Sequence, residues 1–509
     1  MTLRIAALAA FALAALPAKA QLATCTNGFA TLATPIPGAP TSQPFPCNGV
    51  DLMAWIPTGS TGQLRATDGN DIWGWTDPTT GHEYAIVAMI NGTVFVDVTE
   101  PAAPKVLGKL ASRTGQSSIW RDVKIYQGYA FIVADSNPGH GMQVFDLTSL
   151  RGLTPDAARN LSAVTNYDGP TSSRVSSAHN IAINEDTGFA YIVGAGSCSG
   201  GLHMVDIRNP AAPTFAGCFS TDGYTHDVQC VVYDGPDTQH AGKEICFASN
   251  EDTVTIVDVT NKSAPVMLDR AFYPNPGYTH QGWLTEDSRY FIVDDETDSS
   301  SGGTKTFVMD VTDLDNVSFA FTNIGAVPTR DHNLYVSGDF AYLSNYQGGL
   351  RILDVSDLDG GQMPEVAFFD TYPQGNTSGY NGQWSNYPFF PSGTIIANDI
   401  DNGFFVLRFN GRTVGAEPTV PAGASFALSA PSPNPTSGTA SLSLTVAAPE
   451  AVRAVVLDAT GREVAVVFDG TVSGTADLRV ATDGLSAGLY IVRVTGETFS
   501  AARHLSVAR

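Results

Sequence analysis

The chain has 509 residues, 43% of them hydrophobic, with 50 Gly, 30 Pro and a formal net charge of −23. That charge repels nucleic acid and anionic membrane surfaces and favours cations and cationic partners. High Gly and Pro content without long helical periodicity excludes a helical bundle and suits short strands joined by turns, so an all-β protein is expected.

At the N-terminus, Arg4 precedes the apolar run Ile5 to Leu16, and Ala18-Lys19-Ala20 offers a small-residue cleavage site before Gln21. This predicts a secretory signal peptide over residues 1–20. A membrane span needs roughly 20 apolar residues, and no later stretch approaches that uninterrupted, so no transmembrane segment is expected. Residues 21–46 read as an N-terminal arm. In an oxidising compartment the six cysteines are expected to form disulfides, with thiol metal ligation as the rival reading. Local pairing would join Cys25 to Cys47, Cys198 to Cys218, and Cys230 to Cys246.

From 47 to 410 the chain repeats an apolar run ending in Asp: VFVDVT at Val94, QVFDLT at Gln143, HMVDIR at His203, TIVDVT at Thr255, FVMDVT at Phe307 and RILDVS at Arg351. The aspartates Asp97, Asp146, Asp206, Asp258, Asp310 and Asp354 stand 44 to 60 residues apart, room for four short strands per unit, as in a propeller blade. Within a unit, HNIAIN reads as a first strand, FAYIVGA as a second and GLHMVDI as a third, before a Pro-containing turn and a fourth. The repeated Asp is assigned to that turn, where its side chain can bond the local backbone while Pro ends the strand. A seventh copy, FFVLRF from Phe404, lacks an outer strand. The stretch VDLMAWI, Val50 to Ile56, is predicted to supply it and so close a seven-bladed ring. Residues 411–424 read as a linker. Residues 425–509 read as a small β-sandwich with strands SLSLTVA, AVRAVVLD, GREVAVVF, ADLRVA and LYIVRVT.

This C-terminal region resembles the type A sorting domain of the type IX secretion system, through PSPNPTSG at Pro431, DATGREV at Asp458, LSAGLYIVRV at Leu485 and the terminal HLSV. The resemblance implies handling by the export machinery and a released or surface-attached product. The propeller resembles LVIVD-repeat proteins, and in particular the choice-of-anchor B family. NDIWGWTDPTTGHEYA from Asn70, WRDVKIY from Trp120, SAHNIAI from Ser177, THDVQCVVYDGPDT from Thr225 and SNYQGGLRILDVSD from Ser344 carry that likeness. It implies a secreted or surface propeller and carries over no activity.

Aligning the first strands puts Trp73, Arg121, His179, His226, His280, His332 and Trp384 at one position, expected to ring the central channel. Gly74, Asp122, Asn180, Asp227, Gln281, Asn333 and Ser385 follow. Imidazoles converging on an axis suit a transition metal, with His179, His226, His280, His332 and Asp227 as candidate ligands. The rival is a structural ring in which each His bonds the next blade. The acidic run Asp294, Asp295, Glu296 and Asp298 is a candidate calcium loop, against a plain solvated loop. Phosphate-loop, G-x-S-x-G and HExxH signatures are missing. The chain therefore reads more readily as an exported, extracellular or outer-surface binding module for an unknown surface ligand or protein than as an enzyme, a question the sequence leaves open. Its recognition face would carry Trp73, Trp75, Tyr224, Tyr278, Trp283, Trp384 and Tyr387. The alternative is a metal-dependent hydrolase or redox enzyme using the His ring.

Overall fold

A computed structural model describes residues 22–32, 43–58, 68–298, 302–411, 426–429, 431, 436, 438–457, 462–482, 484–486, 488–496 and 499–507. The signal peptide read at 1–20 and nearly all of the linker read at 411–424 lie outside the described residues.

Seven antiparallel sheets account for the chain up to Phe409. They begin at the strands Gly69–Thr76, Arg121–Tyr126, Asn180–Asn184, Asp227–Val232, Thr279–Leu284, Leu334–Ser337 and Gln383–Tyr387, and are called the first to seventh sheets in that order. Each beginning strand packs against that of the next sheet, and the seventh packs against the first, so the inner strands form a closed ring. This is the propeller arrangement. The outer edge of the seventh sheet is Val50–Ile56, hydrogen-bonded antiparallel to Gly403–Phe409, as the missing outer strand required.

Each unit ends its third strand with the same device. The carboxylates of Asp97, Asp146, Asp206, Asp258, Asp310 and Asp354 each accept the backbone N–H two residues on, at 2.9–3.0 Å. An Asx turn of this kind satisfies a donor as it leaves the ladder. The repeated Asp is a turn residue, not a ligand.

The N-terminal arm straps the closure. Phe29–Thr31 and Pro44–Asn48 extend the sixth sheet, and a Cys25–Cys47 disulfide ties the arm to itself. Phe45 and Trp55 pack with Phe369 and Phe405 in one aromatic cluster between the sixth and seventh sheets. The other bridges are Cys198–Cys218 and Cys230–Cys246, each within one sheet, so all six cysteines are paired. The short strand Asn160–Leu161 runs parallel to Lys105–Ala111 and covers the edge of the first sheet.

In the C-terminal region two pairs of expected strands are continuous. Thr439–Leu457 covers SLSLTVA and residues 451–457 of AVRAVVLD, and Glu463–Ala481 covers residues 463–468 of GREVAVVF and all of ADLRVA. Their pairing shifts register between Val446 and Glu450, and both halves line one core with Leu442, Leu444, Val452, Val456, Val492 and Leu505. Hydrogen bonding runs past the polar residues that sequence alone reads as breaks.

Trp55 is the side chain on which closure turns: it is buried, and its indole N–H donates to the carbonyl of Asn402 at 2.8 Å. Trp55→Ala is expected to cost about 3–5 kcal/mol through the cavity it leaves. Urea unfolding of the mature chain measures it.

Candidate functional site

Three successive rungs of the inner strands line the channel. The upper rung carries four imidazoles in an arc. His179, His226, His280 and His332 follow one another at ring separations of 4.2, 4.2 and 4.4 Å, and Trp384 continues the arc 4.6 Å beyond His332. Tyr278 packs on His226 and Tyr346 on His332.

Every imidazole has its Nδ1 engaged. His226 donates to the carbonyl of His280 at 2.9 Å, and His332 to the carbonyl of Trp384. His179 meets the Asp135 carboxylate at 3.1 Å and His280 the Asp294 carboxylate at 2.8 Å. Carbonyls and carboxylate oxygens only accept, so Nδ1 carries the hydrogen in each ring, and a neutral ring so held keeps its lone pair on Nε2. Burial pushes His280 and His332 down to about 3, and His226 is likewise lowered, so these three stay neutral at physiological pH. A His oriented by a carboxylate or carbonyl with Nε2 free is the usual supporting arrangement of a metal-binding imidazole.

Four stacked rings in an arc do not point at one ion. The structure instead brings together His280, His332 and Glu296, whose ligand atoms lie within 4.8 Å of one another. Tetrahedral zinc with bonds near 2.0 Å places its donors roughly 3.3 Å apart, so small side-chain rotations close the set. Glu296 is held by the Tyr346 hydroxyl, which donates to it at 2.6 Å. A second cluster, Asp237, His240 and Asp315, is already crossed by hydrogen bonds from Gln239, Leu314 and Lys243, which leaves a cation little to replace.

The middle rung is a charged hub. Lys124 donates to Asp122 at 2.6 Å and Asp71 at 3.1 Å, and its ammonium lies 4.6 Å over the Trp73 ring. Burial alone would lower the Lys124 pKa, yet Asp122 and Asp71 hold it well above the ordinary value. Burial and the neighbouring carboxylate raise Asp122, and burial raises Asp227 to about 6. Where the inner backbones diverge, side chains stitch one sheet to the next: Asn180 donates to the His226 carbonyl, Gln281 trades two 3.0 Å bonds with Leu334, and Asp122 accepts the N–H of Ile181.

The lower rung is an aromatic plug of Trp73, Trp283, Tyr335, Tyr387 and Phe389. A Cβ at Gly74 would stand 2.2 Å from Tyr387, so glycine there permits the packing.

Several expected placements change. Trp73 belongs to the plug, three residues beyond the imidazole rung. A register shift between Gly69 and Ile72 puts Asn70 and Asp71 where Trp73 and Gly74 were aligned. The dipeptide Asn70-Asp71 matches Arg121-Asp122, His179-Asn180 and His226-Asp227, and was the signal available. Arg121 turns away from the channel to His140 and the Met89 carbonyl. Asp227 lies in the hub rather than beside the imidazole nitrogens. The acidic run does not converge: Asp294 serves His280, Asp295 accepts from Tyr273, Gly277 and Tyr278, Glu296 takes Tyr346, and Asp298 pairs with Lys305. The expected recognition face divides, with Tyr278 and Trp384 at the imidazole end, Trp73, Trp283 and Tyr387 in the plug, and Trp75 stacked on Tyr84 in the core. Tyr224 sits beside Gly194, next to His179. Part of what sets Lys124 and Glu296 lies on other sheets: Asp71 for Lys124, and Tyr346 and His332 for Glu296.

The LVIVD repeat model matches residues 176–221, 242–271 and 331–359, and the model described as a secretion system C-terminal sorting domain matches 432–508. The chain carries LVIVD repeats and ends in a secretion sorting domain. That domain marks it for export through the type IX secretion system to the cell surface or extracellular space. No curated protein matches it. Similar solved structures include a functionally unknown protein from Desulfotomaculum acetoxidans, at 13% identity over 62% of this chain and 88% of that one, TM-score 0.43. A Lactobacillus plantarum protein matches at 13% over 81% and 99%, TM-score 0.43. The C-terminal WD40 domain of Sif2 matches at 9% over 67% and 97%, TM-score 0.42. Among the described residues no helix is long and apolar enough to cross a membrane.

Lys124→Met leaves Asp71 and Asp122 buried without their cation, and a loss of about 3–5 kcal/mol is expected. Carboxylates stranded this way have raised folded pKa values, so they favour the folded state at low pH and oppose it as pH rises. Denaturant unfolding at pH 5 and pH 8 should show a larger deficit at pH 8.

Proposed function

We propose that the protein is an exported binding module whose channel takes up a late first-row divalent metal ion at its imidazole end, through His280, His332 and Glu296. The observation that carries this reading is the fixing of every Nδ1 in the arc, which leaves Nε2 lone pairs beside a carboxylate. Imidazole and carboxylate donors suit zinc, copper or nickel. Asp294 is then a positioning residue for His280. The aromatic plug closes the far end of the channel, so the ligand enters past Tyr278 and Trp384.

The same reading takes the seven sheets as the blades of one propeller over 47–410, preceded by a signal peptide at 1–20 and an arm at 21–46. A linker at 411–424 and the sorting domain at 425–509 follow. This organisation fits the choice-of-anchor B likeness, in which related propellers carry different attachment tails.

The test uses the mature chain purified without a histidine tag, loaded with Zn(II) or Co(II) and desalted. One ion per chain is expected, none in His280→Ala/His332→Ala, and a ten- to hundredfold weaker affinity in Glu296→Gln and in Asp294→Asn. A wild-type chain without metal, or a double variant that keeps it, sinks the reading.

A further inference from the structure

Buried cations in this chain come with carboxylates. Lys262 pairs with Glu244, Arg351 with Glu365, and Lys124 with Asp71 and Asp122. Two buried cations, Lys109 and Arg121, are exceptions, and Arg121 is the more enclosed. It is 1% exposed, more enclosed than any of these, and no carboxylate meets it among the described residues.

Its guanidinium donates from Nε to the Met89 carbonyl at 3.0 Å and from Nη1 to His140 Nε2 at 2.9 Å, while Nη2 has no partner. His140 gives its own Nδ1–H to the Gly141 carbonyl and brings no negative charge; burial, and then Arg121 itself, lower it to about 4. Burial brings Arg121 only to about 10, so it remains charged.

A second cation stands nearby. Lys109 is buried, and its ammonium holds the amide oxygen of Asn91, two residues along the same turn from the Met89 carbonyl that Arg121 holds. Two cations without an acid, in a chain of net charge −23, is an arrangement that folding alone does not favour. A trapped water would satisfy the Nη2 hydrogens and leave both charges uncompensated. A small anion satisfies both.

We propose that Arg121 and Lys109 hold one inorganic anion of halide size between the first and second sheets, bound by the free Arg121 Nη2–H groups and the Lys109 ammonium. Enclosure restricts the occupant, since Nη2 is cut off from solvent and an organic acid or sulfate would need the sheets to part. The site is independent of the metal reading and uses none of its residues.

The test compares the full mature chain in sodium chloride, bromide and gluconate at one ionic strength. A saturable rise in Tm with chloride or bromide, and none with gluconate, is expected. Arg121→Gln should abolish the rise, and Lys109→Met should increase the half-saturating concentration at least tenfold. Should Arg121→Gln not fold, anomalous diffraction from wild-type crystals grown in bromide decides, with a peak expected within hydrogen-bond distance of Arg121 Nη2. Equal Tm in chloride and gluconate, an undiminished chloride effect in a folded Arg121→Gln, or a bromide map empty at Arg121 would overturn the proposal.

Discussion

An ammonium held between the inner strands of the first and second sheets is the interaction on which the rest depends. The inner strands of seven sheets cannot converge without bringing polar side chains together. In this chain Asp71 and Asp122 are forced together there, and Lys124 makes their approach favourable by standing between them. Two uncompensated carboxylates at that distance could not both stay ionised. With the cation in place, the inner strands of the first two sheets are tied together.

The orientation of the imidazoles matters more than the number of histidines. Each ring is turned by its Nδ1 bond, and the bonds come from different sources: the next sheet's backbone for His226 and His332, a carboxylate for His179 and His280. The same contacts therefore join strands and orient the imidazoles at once. The Nδ1 contacts of His179, His226 and His332 join neighbouring sheets and that of His280 stays within the fifth, and all four leave the outer nitrogen facing away from its anchor.

Local chemistry was legible in the sequence, and cross-sheet chemistry was not. The six turn aspartates are readable because each acts on a backbone group two residues away. The closing strand is readable because one unit lacks its fourth strand and an alternating segment precedes the first. The error at Trp73 arose because the conspicuous Trp-Gly-Trp motif drew the alignment, while the irregular pairing before Ile72 hides the true equivalents, Asn70 and Asp71. Glu296 looked like part of a calcium loop since four acidic residues lie close in sequence. Its neighbours in space come from the sixth sheet, whose position no local pattern encodes. In the C-terminal domain the two long strands pair with each other on either side of a register shift between Val446 and Glu450, so each runs on where the sequence reads a break.

The closing strand carries a consequence for how the molecule comes to be. Trp55 and its partner Asn402 are 347 residues apart in the chain, yet they meet in the last sheet to be made. The segment synthesised first waits for the segment synthesised near the end, and until then the seventh sheet presents an open edge. Because the sorting domain follows that sheet, the signal for export becomes available only in a chain that already contains everything needed to seal the ring. The order of the chain thus places the export signal beyond the last residues that seal the ring.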